Sequence, residues 1–305
     1  MKKLLVLSFS IFLFQFSNAQ DKQYKIGAIG FYNFENLFDT EDDPEIRDEE
    51  YTPTGSRSWT EDLYAEKLNN MAKVVSEMAV DVTPDGLAVL GVCEIENRNV
   101  LEDFVKHPKL ADRNYKIVHY DSPDERGIDC ALIYNPKYFT VTNSKTYPIM
   151  IYDGDGSRDF TRDVLLVSGI FDGDLIHIMV NHWPSRSGGE KASQHRREAA
   201  AKVCKSVADS LLKSDEYAKI LIMGDLNDDP TSPSVKNVLQ GKGEKSKVRR
   251  GDLYNPWWDI HRRGFGTLAY RDSWNLFDQI IISHGLITRR SKGYKFRSAN
   301  IFNKK

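Results

Sequence analysis

Polar side chains sit at five points where apolar runs start or stop, and their types suit the cutting of a phosphate ester. Asn33 closes the run in FYNFENLFD, Glu94 the run in VLGVCEIEN, and Asn181 with His182 the run in IMVNHWPSRSGG. Asp225 and Asn227 close LIMGDLNDDP, and Asp278 opens the run in WNLFDQIIIS. Glu94 offers a hard carboxylate oxygen, of the kind Mg2+ takes in ones or twos while keeping its waters. Asp225 can orient or deprotonate a water. The amide of Asn227, two residues on and on the same face of an extended chain, can donate to an oxyanion. His182 can donate a hydrogen bond to a phosphoryl oxygen or act as a general acid. Arg186 can pair with phosphate, and Gly188 and Gly189 permit close approach to the backbone. Each alone has an ordinary explanation: an Asx turn, a surface glutamate, a histidine packed on Trp183. Together, at the ends of separate strands, they fit metal-assisted phosphoester hydrolysis. His119, His177 and His195 have no such setting and read as structural.

The elements that must position these groups are legible as periodic runs. Strand-like segments recur at residues 24–32, 86–93, 127–134, 164–171, 175–180, 220–223 and 277–283. Several are continuously rich in Ile, Val and Leu, as when both faces of a sheet are covered. Asp172-Gly173-Asp174 between two runs signals a hairpin turn. Tyr64, Leu68, Met71, Val75 and Met78 form one helical stripe, with Thr60 as N-cap and Glu61 and Asp62 in the first turn. A second helix is predicted from about residue 191 to 212, with Ala200, Val203, Val207 and Leu211 on one face. Alternating sheet and helix elements predict a layered α/β sandwich with a mixed sheet. Residues 39–50 read as an acidic loop, and residues 241–266 as a long basic and aromatic one.

Composition bounds the reading. The 305 residues carry 42 Lys and Arg against 44 Asp and Glu, with 40% hydrophobic and 11% aromatic residues. That excludes a disordered tail protein, a disulfide miniprotein, a collagen-like fibre and a multi-span membrane protein. The near-neutral total hides an asymmetry: residues 241–305 hold 15 Lys and Arg against 5 Asp and Glu. An acidic body with a basic C-terminal fifth suits a site that holds cations and also meets anions. Residues 1–19 read as a cleavable signal peptide. Lys2 and Lys3 precede an apolar run too short to span a bilayer, and Ser17-Asn18-Ala19 follows it. Export to a periplasm or to the medium is expected, without stable membrane insertion, and as a monomer. Cys93, Cys130 and Cys204 read as three buried small hydrophobes, with one disulfide and a free thiol as the alternative.

The segments FYNFENLFD, VCEIEN, RGIDCALIYNP, NHWPSRSGGE, GDLNDDP and WNLFDQIIIS, in this order from about residue 24 to 283, resemble the endonuclease/exonuclease/phosphatase superfamily. The likeness is strongest to its secreted bacterial branch. The resemblance implies a deoxyribonuclease I-like, four-layer α/β sandwich of two packed mixed sheets flanked by helices over residues 20–305, and a hydrolase dependent on Mg2+ or Mn2+. By position it makes Glu94 the metal-binding glutamate and places Asn33 at the metal–phosphate site. It sets His182 on the scissile phosphate, Asp225 on the attacking water and Asn227 on the transition state. Arg126 and Asp129 in RGID become residues of the rim. Asp278 matches the aspartate that orients a second, catalytic histidine. The family's closing Ser-Asp-His is not found before Lys305, so Asp278 is expected to lack that partner and the domain to be C-terminally shortened. Ser283-His284 is no substitute: six residues of strand separate Asp278 from His284, about 20 Å at about 3.3 Å per residue.

The substrate is not chosen by these residues. Lys242, Lys245, Lys247, Arg249, Arg250, Arg262 and Arg263, interleaved with Tyr254, Trp257 and Trp258, read equally as a tracker of a polyanion and as a solvated loop with an aromatic anchor. A secreted phosphodiesterase or nuclease, with a phosphodiester and even nucleic acid as partner, is the leading expectation. A phosphomonoesterase or phospholipase-like hydrolase on the same site is the second. A catalytically impaired protein that binds anions or nucleic acid is the third.

Overall fold

The computed structural model describes residues 25–304. The expected leader at residues 1–19, and Tyr24, lie outside them. Four strands, β1 (Ile29–Leu37), β2 (Val89–Ile95), β3 (Lys116–His119) and β4 (Asp129–Tyr134), form one sheet in the order β1-β2-β4-β3. β1 and β2 run parallel and the other pairs antiparallel. Next come β5 (Phe139–Tyr147), a two-stranded ribbon of β6 (Ile151–Tyr152) and β7 (Arg158–Asp159), β8 (Val164–Phe171) and β9 (Asp174–His182). They are followed by β10 (Lys219–Asp225), β11 (Gly241–Lys242), β12 (Leu253–Tyr254), a second ribbon of β13 (Leu268–Tyr270) and β14 (Ser273–Asn275), and β15 (Asp278–Ser283). The second sheet is also mixed and has seven strands, in the order β11-β12-β15-β10-β9-β8-β5.

Helices cover the outer faces: α1 (Glu61–Glu77) and α2 (Arg98–Lys106) on the first sheet, α3 (Gln194–Ser214) on the second. A short α4 (Trp257–Arg262) lies near β15. Strand alternation builds the layers. In β10, Ile220 and Ile222 pack toward α3, whereas Leu221 and Met223 pack toward β2 and β4. In β2, Leu90 and Val92 face α1 and α2, whereas Val89 and Cys93 face the second sheet. Burying each such Val, Leu or Ile contributes roughly 1.5–3 kcal/mol. The two sheets approach closely at Gly91, where a Cβ would lie 2.5 Å from Met223 Sδ. The four-layer sandwich of two mixed sheets is thus the expected fold.

Local chemistry explains the elements. Tyr64, Leu68, Met71 and Val75 are all buried in α1, and the Thr60 side chain accepts from the Leu63 N–H. Asp172 and Gly173 turn the β8–β9 hairpin with φ of 46° and 93°, a two-residue turn with both residues left-handed. The three cysteines are free and buried. No helix of the described residues is long and apolar enough to cross a membrane.

Two sets of expectations change. α2, β3 and β5 were not predicted: α2 has nine residues, β3 only four, and β5 is an edge strand whose FTVTNSKTY is mostly polar. α2 starts where Asn97 caps it, accepting from the Asn99 and Val100 N–H groups at 2.8 and 3.1 Å, while its amide donates to Asp39 Oδ2 at 2.9 Å. Asn97→Ala should lower the unfolding free energy by about 1–2 kcal/mol, read as a drop in the urea midpoint. An unchanged midpoint would show that the cap contributes nothing.

The second change concerns residues 241–266, which are structured rather than a loop. They carry β11, β12 and α4, and their cations are largely matched by acids: Lys247 pairs with Glu244, Arg250 with Glu216, and Arg262 with Asp259, at 2.7–2.8 Å. Trp257 is buried, its indole N–H donating to Ile280 O at 3.0 Å. It is an anchor, not a stacking surface.

Candidate active site

The sequence-predicted groups meet at one rim because parallel neighbours end together. β9 and β10 are in parallel register with His182 beside Asp225, and the antiparallel β15 sets Asp278 opposite Asp225. From the other sheet, β1 and β2 run parallel with Asn33 beside Cys93, one residue before Glu94. Glu94 sits at an irregularity in the β2–β4 ladder with φ of 58°. Such left-handed backbone costs a non-glycine residue on the order of 1 kcal/mol and here turns the carboxylate off the strand. Gly224, one residue before Asp225, has φ of 154°, and a Cβ there would lie 2.1 Å from Asn181 O. Only glycine lets β9 and β10 approach so closely at their ends.

The side chains converge. Asn33 Nδ2 donates to Glu94 Oε1 at 2.9 Å and to Asp225 Oδ2 at 3.1 Å, so one amide bridges the two sheets. His182 Nε2 lies 3.5 Å from Glu94 Oε1. One ligand atom each from Glu94, His182 and Asp225 falls within 4.8 Å of the others. No Lys or Arg of the described residues forms an ion pair with Glu94 or Asp225. The donor set therefore fits a hard divalent cation: two carboxylate oxygens with no cation ion-paired to them. Burial pushes the Asp225 carboxyl up to about 6, the Asn227 N–H holding it back and the Glu94 charge raising it further. Burial, then the charge of Asp225, pushes Asp278 up to about 8. Burial holds the His182 imidazole well below its usual range, and the Arg162 and Arg126 guanidiniums add to this. His182 is therefore neutral, with a buried Nδ1 that has no hydrogen-bond partner.

The remaining predicted residues are placed differently from one another. Asn227 turns at φ of 48°. Its N–H donates to Asp225 Oδ1 at 2.8 Å, and its side-chain amide to Trp183 O at 2.9 Å, which commits one amide hydrogen to tying β9 to β10. Arg126 is exposed at the rim, forked onto Asp124 at 3.1 and 3.3 Å. Asp129 pairs with His119 Nε2 at 3.0 Å, both buried, so His119 is a structural histidine that steadies the start of β4.

Arg186 departs from the expectation of a phosphate ligand. Its guanidinium is held by Asp228, Asp229 and Glu190, each at 3.2 Å, and lies over the Phe277 ring at 4.6 Å. Carboxylates so close satisfy its donors, and it fastens the loop after β9 to the loop after β10. Asp278 hydrogen-bonds through its backbone N–H to Thr267 Oγ1 at 3.2 Å. No histidine of the described residues hydrogen-bonds its carboxylate. His284 lies at the far end of β15, its N–H on Asp252 O and its ring 6.4 Å from Tyr217.

Two residues escaped the sequence reading. Arg162 is buried, bonded to Asp124 Oδ2 and Trp183 O at 2.9 Å each, with its Nε unpaired. An arginine just ahead of the apolar run at 164–171 was the available signal. Tyr51 stacks on Phe38 at 4.1 Å, edge-on to Trp59, with the Arg57 guanidinium over its ring, and so builds a wall from the acidic loop. Only aromatic residues clustered over 51–59 pointed to it.

Two packed mixed sheets with carboxylates, amides and an imidazole gathered at one rim are the architecture of a phosphoester hydrolase. The chain belongs to the endonuclease/exonuclease/phosphatase family, which matches it over residues 28–305. Among solved structures it is similar to a mannosyl-6-phosphatase of Bacteroides thetaiotaomicron, at 15% identity and TM-score 0.51, over 84% of this chain and 85% of that one. It is also similar to a humanized D. rerio TDP2 (13%, TM-score 0.49, 83% and 81% covered) and to the human Nocturnin catalytic domain (17%, 0.44, 65% and 70%). No curated protein sequence matches it.

Proposed function

We propose that the chain is an exported, metal-dependent phosphodiesterase of nuclease type. The observation that carries this reading is the convergence of Glu94, Asp225 and a neutral His182 within 4.8 Å, with no Lys or Arg of the described residues ion-paired to either acid. Glu94 would hold Mg2+ or Mn2+ with help from Asn33, and such a cation would supply positive charge to the phosphoryl oxygens and to water. Asp225, ionised above a pKa of about 6, takes the proton of the attacking water as the new P–O bond forms; the ester P–O bond breaks with its electron pair leaving on the alkoxide oxygen, which takes a proton from solvent. Neutral His182 donates an N–H to a phosphoryl oxygen rather than a full positive charge. Asn227 supports the transition state with its second amide hydrogen, and Arg126 attracts the incoming anion at the rim.

The test is hydrolysis of bis-p-nitrophenyl phosphate and of plasmid DNA. Activity should vanish in EDTA and return with excess Mg2+ or Mn2+. Activity that persists in EDTA would contradict the metal reading. Hydrolysis of p-nitrophenyl phosphate but not of the diester would replace a phosphodiesterase by a phosphomonoesterase.

A further inference from the structure

Cys93 and Cys130 stand opposite each other where β2 and β4 meet the rim. They are register partners in the antiparallel ladder, the last pair before its irregularity at Glu94. One bond fixes the kind of pair they form. Asn135 donates its N–H to Ala88 O at 2.8 Å, so residues 88 and 135 face each other as a hydrogen-bonded pair. Pair types alternate along an antiparallel ladder. Five steps on, in unbroken register, Cys93 and Cys130 are a non-hydrogen-bonded pair. At such pairs the Cα atoms stand about 4.5 Å apart and the side chains approach most closely. That spacing falls inside the range of about 4.4–6.8 Å that a disulfide spans. Both side chains also point the same way, into the apolar layer between the sheets with Leu132, Val180 and Met223. Cys204 is placed otherwise. It packs on the α3 side of the second sheet, and its Sγ donates to Asn181 Oδ1 at 2.9 Å. A whole sheet separates it from the other two.

We propose that Cys93 and Cys130 are joined by a cross-strand disulfide when the chain folds in an oxidising compartment. This rests on the export part of the functional reading. The oxidant is itself a disulfide, that of a small thiol or of an exported oxidoreductase. One cysteine thiolate attacks a sulfur of that disulfide and releases a thiolate; the second cysteine thiolate then attacks the mixed disulfide and releases another. Two electrons pass from the cysteine pair to the oxidant, and the two protons the cysteines gave up end on its two released sulfurs. The bond forms before the second sheet closes over β2 and β4, because in the folded chain Cys93 is 0% and Cys130 4% exposed. Closure then seals it from reductants. The bond ties the strand end that carries Glu94 to the strand start that carries Asp129, at the point where the ladder itself gives out.

The experiment unfolds the full chain in urea with dithiothreitol and refolds it either in a mixture of oxidised and reduced glutathione or with dithiothreitol throughout. After refolding in glutathione, tryptic digestion without reductant should yield one linked pair, residues 74–98 with residues 127–137, two hydrogens lighter than the separate peptides. Thiol titration in urea should count one sulfhydryl per chain, that of Cys204, against three in the dithiothreitol sample. The melting temperature of the glutathione sample should be higher by roughly 5–10 °C, the effect of closing the chain between residues 93 and 130 into a loop. Cys93→Ala/Cys130→Ala should melt alike after either refolding. Three sulfhydryls per chain in the glutathione sample overturn the bond, and so does a link from either peptide to residues 203–205, which hold Cys204. Because the oxidant is supplied, this result decides the pairing wherever the chain resides. Export is decided separately, by whether the full chain made in a bacterium is recovered outside the inner membrane without residues 1–19. A chain retained with its leader sinks the export reading and leaves the pairing to the glutathione result.

Discussion

Asp225→Asn should reduce phosphodiester hydrolysis by about 10²–10⁴-fold while leaving the metal-free protein at least as stable as its parent. The carboxylate is buried beside Glu94, and its hydrogen bonds and the Arg162 charge do not offset that burial, so the folded protein takes up protons more readily there than the unfolded chain. A carboxyl whose pKa is raised by folding stabilises fully below its unfolded value, near 3.8, and loses that contribution as pH rises through the folded value. For Asp225 the loss spans pH about 4 to about 6, and for Asp278 it extends to about 8. In EDTA these two acids should therefore pull the melting temperature down as pH rises from about 4 to 8, against the depressed His182, which pulls it up toward pH 6.5. Asp225→Asn should remove the lower half of the downward pull, so that the variant gains on the parent between pH about 4 and 6. Excess Mg2+ should raise the melting temperature of the parent more at pH 8 than at pH 5, and that of the variant less. Differential scanning fluorimetry reads all of these. Parallel pH profiles for parent and Asp225→Asn in EDTA would mean that the Asp225 charge is neutralised by something other than a cation.

Asp228→Ala should lower the unfolding free energy by about 3–5 kcal/mol, the penalty for orphaning a buried charge. Asp228 is 1% exposed and Arg197, from α3, is fully buried. One carboxylate oxygen of Asp228 forms an ion pair with Arg197, 2.8 Å from its Nε though not aligned for a hydrogen bond, and accepts from Arg186 Nη2 at 3.2 Å; the other accepts from the Ser234 hydroxyl at 2.6 Å. Arg197 also donates to Ser185 O and Glu190 O at 3.2 and 2.7 Å, and Arg186 to Asn227 O at 3.0 Å. The cluster thus clamps the loop that follows His182 to the loop that follows Asp225. A cycle with Asp228→Leu and Arg197→Met should show strong coupling, the double variant recovering much of what either single change loses. Urea unfolding gives the four values. A loss below about 1 kcal/mol for Asp228→Ala would show that water reaches the guanidiniums.

The sandwich and most of its rim were readable because their signals are local. A continuous Ile-Val-Leu run such as 220–223 means a strand covered on both faces, and the polar residue that ends it marks where the strand leaves the core. Glu94, His182 and Asp225 follow that rule; Asp278 instead opens its strand, and Asn33, expected at a strand end, lies midway along β1 where the ladder to β2 becomes irregular, yet all five come together. What escaped depends on partners distant in the chain. Arg186 looks like a phosphate ligand until Asp228 and Asp229 are seen to satisfy it. Trp257 looks like a stacking surface until the strand beneath it takes its N–H. Arg162 is ordinary in sequence and becomes part of the site only because Asp124 and Trp183 O bury it there. β5 reads as polar because an edge strand shows one side to water.

Asn33 and Glu94 hang from one sheet; His182, Asp225 and Asp278 hang from the other. Their spacing is consequently metered by the interior contact at Gly91 and Met223, where there is no room for one more methyl group. The molecule behaves as a caliper. Anything that thickens the sandwich midway along its strands widens the jaws at the tip, and anything that draws the jaws together tightens the whole body.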